Sequence, residues 1–298
     1  MESTSPDQKV AILANPYSGA RGNREAVEQL QDELTGRGIH SDVFWDSAEA
    51  AERLASPQFG DEHRCVVAAG GDGTLHHLVN AQPTVPVAML PLGTENLFAR
   101  EFGHSREPAR MAEMIARGRT RTIDLGDADG QRFALMVSCG YDAAVAHGLD
   151  RWRRHEQKLK RVKRATYLKP IVSTVLHYRF PLLELEADGQ VVRGAMALVF
   201  NLRQYGFGFE FTPEARCDDG HLHWLVLQRP GRIRLASYTL SLKRGRLLRR
   251  PDVPHGRAKE IRIRAVDEPV PLQMDGEAAG TTPRHLRILP ASLAVLIP

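Results

Sequence analysis

Along the first 125 positions, continuous apolar runs alternate with segments of helical spacing. KVAILANP begins as a short apolar run, the pattern of a strand buried on both faces. NREAVEQLQDELTGRG then places Val27, Leu30 and Leu34 on one helix face, and Gly36 and Gly38 end the segment. The alternation continues through strand HSDVFWD, helix AEAAERLAS, strand RCVVAAGG, helix TLHHLVNAQ and strand VPVAMLPLG. Two further helices, NLFAREFG and EPARMAEMIARG, complete the series. Strands alternating with helices predict a parallel, doubly wound sheet, hence an α/β domain over residues 1–126.

Beyond TRTIDLGDADG the texture changes. FALMVSCGY, PLLELEADG, VVRGAMALVFN, HLHWLVLQ, EIRIRAV and HLRILPASLAVLIP are strand-like runs separated by Gly, Pro and Asp turns. One long helical stretch, about 150–178, interrupts them. This predicts a mostly β second domain over 127–284, with the segment from about 285 to 298 placed to pack back on the first.

GGDGT (70–74) follows the third strand, at the strand end where open α/β sheets bind ligands. Gly70, Gly71 and Gly73 admit a phosphate without a Cβ in the way, and the N–H groups of the next helix start face the anion. Asp72 is the exception, because a carboxylate beside a phosphate is repulsive without a cation such as Mg²⁺ between them. A tight turn with a helix cap is the plain alternative. No G-x-x-x-x-G-K-[ST] run exists, and the first βα turn reads NPYSGARG, not G-x-G-x-x-G.

Composition and charge narrow the partners. Of 298 residues, 42% are hydrophobic and 26% charged, as in a soluble globular protein. No stretch reaches the roughly 18 apolar residues of a membrane span. MESTSPDQK has neither basic nor apolar signal-peptide regions, and Cys65, Cys139 and Cys217 lack metal-ligand spacing. A reducing cytoplasm is the expected compartment. Residues 1–126 carry 12 Lys/Arg against 18 Asp/Glu, and residues 127–298 carry 28 against 18. The basic half suits an anionic partner. Its charge concentrates in 151–169, with nine Lys/Arg and one Glu, and in 229–250, with eight and no acid. Either tract is a solvated helix face or a surface that docks on anionic lipid. Nucleic acid is not expected, since no aromatic platform accompanies the charge.

Five motifs in order make the chain resemble the diacylglycerol kinase catalytic-domain family, which includes bacterial lipid kinases and sphingosine kinases and is distantly similar to NAD kinases and phosphofructokinases. They are NPYSG (15–19), GGDGT (70–74), PLGTEN (91–96), PEARCDDG (213–220) and MDGE (274–277). The resemblance spans nearly the whole chain. It implies a Rossmann-like nucleotide domain of NAD-kinase type, a C-terminal β-sandwich, and ATP meeting a lipid alcohol such as diacylglycerol or a sphingoid base. It implies ATP contacts at Asn15, Pro16, Tyr17, Ser18 and Gly19, at Ser47, at Gly70, Gly71, Asp72, Gly73 and Thr74, and at Gly93, Thr94 and Asn96. It implies an Mg²⁺ site from the Asp219 carboxylate with the carbonyls of Arg216 and His221. Asp275 and Glu277 would supply the base, Glu277 being preferred, with Asp275 and Asp72 linked to the catalytic Mg²⁺. Phosphoryl transfer needs those parts: a held γ-phosphate, a neutralising cation and a base near the alcohol. The family also implies lipid metabolism and peripheral contact with anionic membrane, and leaves a homodimer open.

Three departures from the family pattern stand out. His76 and His77 follow GGDGT-L where the family has Asn-Glu, and Leu97 replaces an Asp. Phe207 and Phe209 make the turn after Asn201 bulkier. The adjacent histidines are expected on the helix surface, since neighbours on a helix point about 100° apart. Two other readings follow: a kinase for a soluble alcohol such as NAD, and a catalytically weak nucleotide or lipid sensor. The absent N-E pair argues against the first, and the retained DGE against the second.

Overall fold

The computed structural model describes residues 8–15, 22–155, 168–203 and 205–298. These form two units: residues through Ile123 together with Ala291–Pro298, and residues from Asp124 to Pro290.

In the first unit, β1 (Lys9–Ala14), α1 (Gly22–Thr35), β2 (Ser41–Phe44), α2 (Ser47–Leu54), α3 (Phe59–Glu62), β3 (His63–Gly70), α4 (Asp72–Asn80), β4 (Val87–Pro91), α5 (Leu97–Phe102) and α6 (Pro108–Arg117) follow in order. The strands pair in parallel as β2-β1-β3-β4. Their apolar runs need cover on both faces. Val10 and Ile12 of β1 pack in one cluster with Val27, Leu30 and Leu34 of α1 and Met111 and Ile115 of α6.

β5 (Thr120–Ala128) carries the chain into the second unit. There follow β6 (Gln131–Phe133), β7 (Met136–Cys139), α7 (Tyr141–His155), α8 (Leu168–His177), β8 (Leu183–Ala187), β9 (Gln190–Gly194), β10 (Met196–Phe200), β11 (Leu222–Leu227) and α9 (Arg232–Lys243). β12 (His255–Ala258), β13 (Glu260–Ala265), β14 (Pro271–Met274), β15 (Glu277–Thr281) and β16 (Arg284–Leu296) complete it. One antiparallel sheet runs β12-β11-β10-β7-β14-β15. The other pairs β9, β8, β13 and the start of β16. Val137, Val199 and Trp224 from the first sheet share a core with Leu185, Ile263 and Leu286 from the second, which is a β-sandwich.

The last residues belong to the first unit. Val295 pairs in parallel with Val87, and the Ile297 N–H donates to the Arg119 carbonyl. His104 latches the same segment: its Nδ1 accepts the Met89 N–H at 3.1 Å, and its Nε2 stands 2.7 Å from the Leu296 carbonyl.

The helical expectation for 150–178 needs correction. Helix α7 begins at Tyr141, nine residues earlier than expected, and α8 is a separate helix; 156–167 lie outside the described residues. The basic tract 229–250 contains a further helix, α9. Its only fully buried side chain is Tyr238, so the apolar stripe that betrays a helix is almost missing.

Candidate active site

Residues 70–74 end β3 and begin α4, with Gly71 at the helix cap position. No side chain caps this helix; the Thr74 N–H donates to the Gly71 carbonyl at 2.9 Å, and the amides before it precede the first intrahelical acceptor. The PLGTEN loop packs directly on the glycines. A Cβ on Gly93 would stand 2.4 Å from the Gly71 Cα and 2.8 Å from Asn96 Oδ1, so the two backbones touch only because both positions are glycine. Asn96, in the left-handed region at φ +51°, holds its loop shut from both sides. Its Oδ1 accepts the Gly93 N–H and its Nδ2 donates to the Gly93 carbonyl, each at 2.9 Å. Thr94 is exposed beside it.

Asp72 ties the two loops. Its Oδ2 accepts the Leu97 N–H at 3.1 Å and its Oδ1 the Phe98 N–H at 3.3 Å, at the start of α5. A carboxylate at a helix N-terminus is favourable, so Asp72 has a partner that needs no cation. Leu97 meets it through its backbone, and its side chain is buried. Thr74 is buried on the first turn of α4, and its hydroxyl has no hydrogen-bond partner. A Cβ on Gly70 would stand 2.1 Å from that hydroxyl, and an orphaned hydroxyl beside a glycine at a helix start is a cradle for an anion.

His76 is not on the surface. Thr74, Leu75, His76, Leu78 and Val79 are all buried, while His77 is exposed. Helix α4 is covered on more of its circumference than an amphipathic reading allows, and the Asn80 amide donates to the His76 carbonyl at 2.9 Å. Pro16, Tyr17, Ser18 and Gly19 lie outside the described residues, as does the Ser47 side chain; Asn15 ends the described part of the first strand segment, its N–H donating to the Ala69 carbonyl.

In the second unit, MDGE is a hairpin. Met274 pairs with Glu277 across Asp275 and Gly276, both at positive φ (+50° and +90°), as a two-residue primed turn demands. The buried Asp275 carboxylate accepts three backbone amides: Ala134 at 2.9 Å, Leu135 at 2.8 Å and Met136 at 3.0 Å. Asn201, fully buried, donates to the carbonyls of Asp124 and Ala134 at 2.9 Å each. Asp275 and Asn201 therefore hold one and the same strand-connecting segment. Glu277 is half-buried at the far side of the turn.

A polar network unforeseen from the sequence braces that turn. Asp142 accepts the Ser138 hydroxyl at 2.6 Å and a close hydrogen bond from the Tyr205 hydroxyl. The Gln273 amide donates to Ser138 Oγ at 3.0 Å and to Asp142 at 3.2 Å, while its Oε1 accepts the Gly276 N–H at 2.7 Å. Removal from water, then the Asp142 charge, pushes the Tyr205 hydroxyl well above the ordinary phenol range, so it stays a donor. Gln273, polar yet only 3% exposed, could have been noticed as a break in an apolar strand pattern.

The PEARCDDG segment is anchored by Asp124, whose N–H donates to the Cys217 carbonyl and whose Oδ2 accepts the Gly220 N–H at 2.8 Å. Asp219 Oδ1 accepts the His221 N–H at 3.0 Å, and its Oδ2 lies 3.0 Å from His223 Nε2. Arg216 is exposed, and its side chain meets Asp218 at 3.3 Å. Among the described residues, no three His, Cys, Asp or Glu side chains stand close enough to hold a metal ion.

Comparison with known proteins decides the family. The diacylglycerol kinase catalytic domain matches residues 9–128, and the YegS C-terminal NAD kinase beta sandwich-like domain matches residues 135–297. The chain belongs to the diacylglycerol kinase catalytic-domain family. Among its relatives, a diacylglycerol kinase of Mycobacterium tuberculosis H37Rv is 28% identical over 304 residues, covering 97% of this chain and 95% of the relative. One from Bacillus subtilis 168 is 26% identical over 307 residues, covering 98% and 97%. The crystal structure of a diacylglycerol kinase from Bacillus anthracis shares the fold, with a TM-score of 0.70, 20% identity and coverage of 98% and 97%. A second Bacillus anthracis structure reaches a TM-score of 0.78 at 22% identity, covering 100% and 97%. A member of this family is a phosphotransferase of the diacylglycerol kinase type, which fits an α/β unit with an anion cradle followed by a β-sandwich.

Proposed function

We propose that this lipid-kinase-like enzyme transfers the γ-phosphoryl group of ATP to the hydroxyl of diacylglycerol or a closely related lipid alcohol. The observation that carries the reading is the cradle at the β3–α4 turn, where Thr74 leaves a buried hydroxyl unpaired against Gly70, next in the chain to the Gly71 that touches Gly93. A triphosphate suits such a turn: helix-start amides and a hydroxyl are phosphate donors, and its glycines put no side chain in the way. Asp72 and Asn96 then act by position, fixing one loop against the other.

Glu277 is the base in this reading. The Asp275 carboxylate is buried and gathers three amides, and Glu277 stands partly exposed at the end of the same turn, which Gln273 braces through the Gly276 N–H. Taking the proton from the attacking hydroxyl as the P–O bond forms is the work of such a carboxylate. Mg²⁺, when bound, would neutralise charge on the phosphates. Phosphate oxygens and water would supply most of its ligands, as hard octahedral Mg²⁺ prefers. At Asp219 an oxygen set with the carbonyls of Arg216 and His221 is of the right kind for Mg²⁺, and the His223 ring already shares the Asp219 carboxylate.

The test is transfer from labelled ATP with Mg²⁺ to a panel of diacylglycerol, sphingosine, total lipid extract and NAD. Labelled phosphatidic acid is expected. Labelled NADP would favour the soluble-alcohol kinase, and ATP binding without transfer to any acceptor would favour a sensor.

A further inference from the structure

The tract 229–250 holds eight Lys/Arg and no acidic residue, and in the structure it forms a surface of defined shape. Helix α9 and the turn after it border a groove of about 600 Å³ lined by Arg229, Arg234, Arg244, Arg246, Arg249 and Arg250, with Asp252 its one carboxylate. Asp252 is already engaged. Arg250 forks onto it at 2.9 and 3.0 Å, donates to Ser237 and Ser241, and lies over the Tyr238 ring at 4.7 Å. Arg229 approaches the same carboxylate at 3.5 Å. Arg234, Arg244, Arg246 and Arg249 are exposed and, among the described residues, have no acidic partner.

Apolar side chains stand beside this charge. Ile233 is 86% exposed and Leu240, two turns along the same side of α9, 48%. Helix α8 adds Leu176 at 55% and Val172 at 48%, one turn apart. Arg232 ties the two helices by donating to the Leu176 carbonyl. Lone exposed apolar residues need no explanation, but Ile233 and Leu240 each adjoin in the chain a residue that lines the groove, Arg234 and Ser241. Guanidinium forks match phosphate oxygens, and apolar side chains beside them are buried where the headgroups meet the acyl chains.

The geometry points to the α8–α9 face as the surface by which the enzyme docks on an anionic bilayer, lipid phosphates entering the arginine groove and Ile233 with Leu176 entering the headgroup–acyl boundary. This rests on the proposal that the acceptor lives in a membrane, yet it is measured without turnover. The full chain is co-sedimented with phosphatidylcholine vesicles containing or lacking phosphatidylglycerol. Binding is expected only to the anionic vesicles, weakened about tenfold or more by combined R234E, R244E and R246E and retained by the three Arg→Lys changes. I233D should weaken it as well, with the far-UV circular dichroism of every variant unchanged. Binding indifferent to charge reversal overturns the inference. So does release by inorganic phosphate matched to the lipid phosphate, which marks a small-anion site. Vesicle binding through this face without phosphorylation of any lipid would leave the docking surface standing and sink the lipid-kinase reading.

Discussion

Asp72 and Asp275 stand in different units and solve one problem alike: each carboxylate gathers backbone amides of a segment distant in sequence. Asp72 caps the start of α5 from 25 residues away, and Asp275 gathers Ala134, Leu135 and Met136 from about 140. Both motifs were legible in the sequence; the partners were not, because the amides belong to the backbone and carry no residue signature. The two N–H groups meet the Asp72 carboxylate with fixed partial charge. Asp72→Ala is therefore expected to cost about 1–2 kcal/mol of stability, as loss of a helix cap does, and to weaken ATP binding as the two loops part. Asp72→Asn, which keeps one acceptor, should recover part of both. Urea unfolding and nucleotide titration of the three proteins check this.

At the scale of elements, apolar continuity exposed what could be read and polar burial hid the rest. β1, β3 and β4 are unbroken apolar runs, and EIRIRA alternates so regularly that Ile261 and Ile263 face the core as expected. Helix α9 has almost no buried face, and the hairpin of β14 and β15 buries the polar Gln273, so neither shows a clean period. His104 illustrates a polar residue serving an element. With Nδ1 accepting from Met89, the ring holds the end of β16 in neutral form, and burial pushes its pKa below the ordinary 6.5. The unfolded chain then binds a proton that the folded chain does not. This contribution is complete above about pH 6.5 and is lost progressively as pH falls below it. The urea midpoint of the wild type should drop between pH 7 and pH 5. His104→Asn, which retains an acceptor for Met89, should reduce that slope; an unchanged slope would count against the latch.

For the molecule as a whole, charge and chemistry divide along the chain in the same way. Residues 1–126 are net acidic and carry the GGDGT turn; residues 127–298 are net basic and carry the hairpin with Glu277 and the arginine groove. No helix among the described residues is long and apolar enough to cross a membrane. The proposal at the centre separates two neighbouring carboxylates: Glu277 as the base, and Asp275 as the residue that holds the turn. It is tested most directly by kcat for diacylglycerol phosphorylation beside the urea midpoint, in Glu277→Gln and Asp275→Ala. Glu277→Gln should lower kcat by about 10²–10⁴ with the midpoint unmoved. Asp275→Ala, leaving three buried amides unpaired, should cost about 3 kcal/mol or more of stability. Wild-type kcat in Glu277→Gln would contradict the assignment.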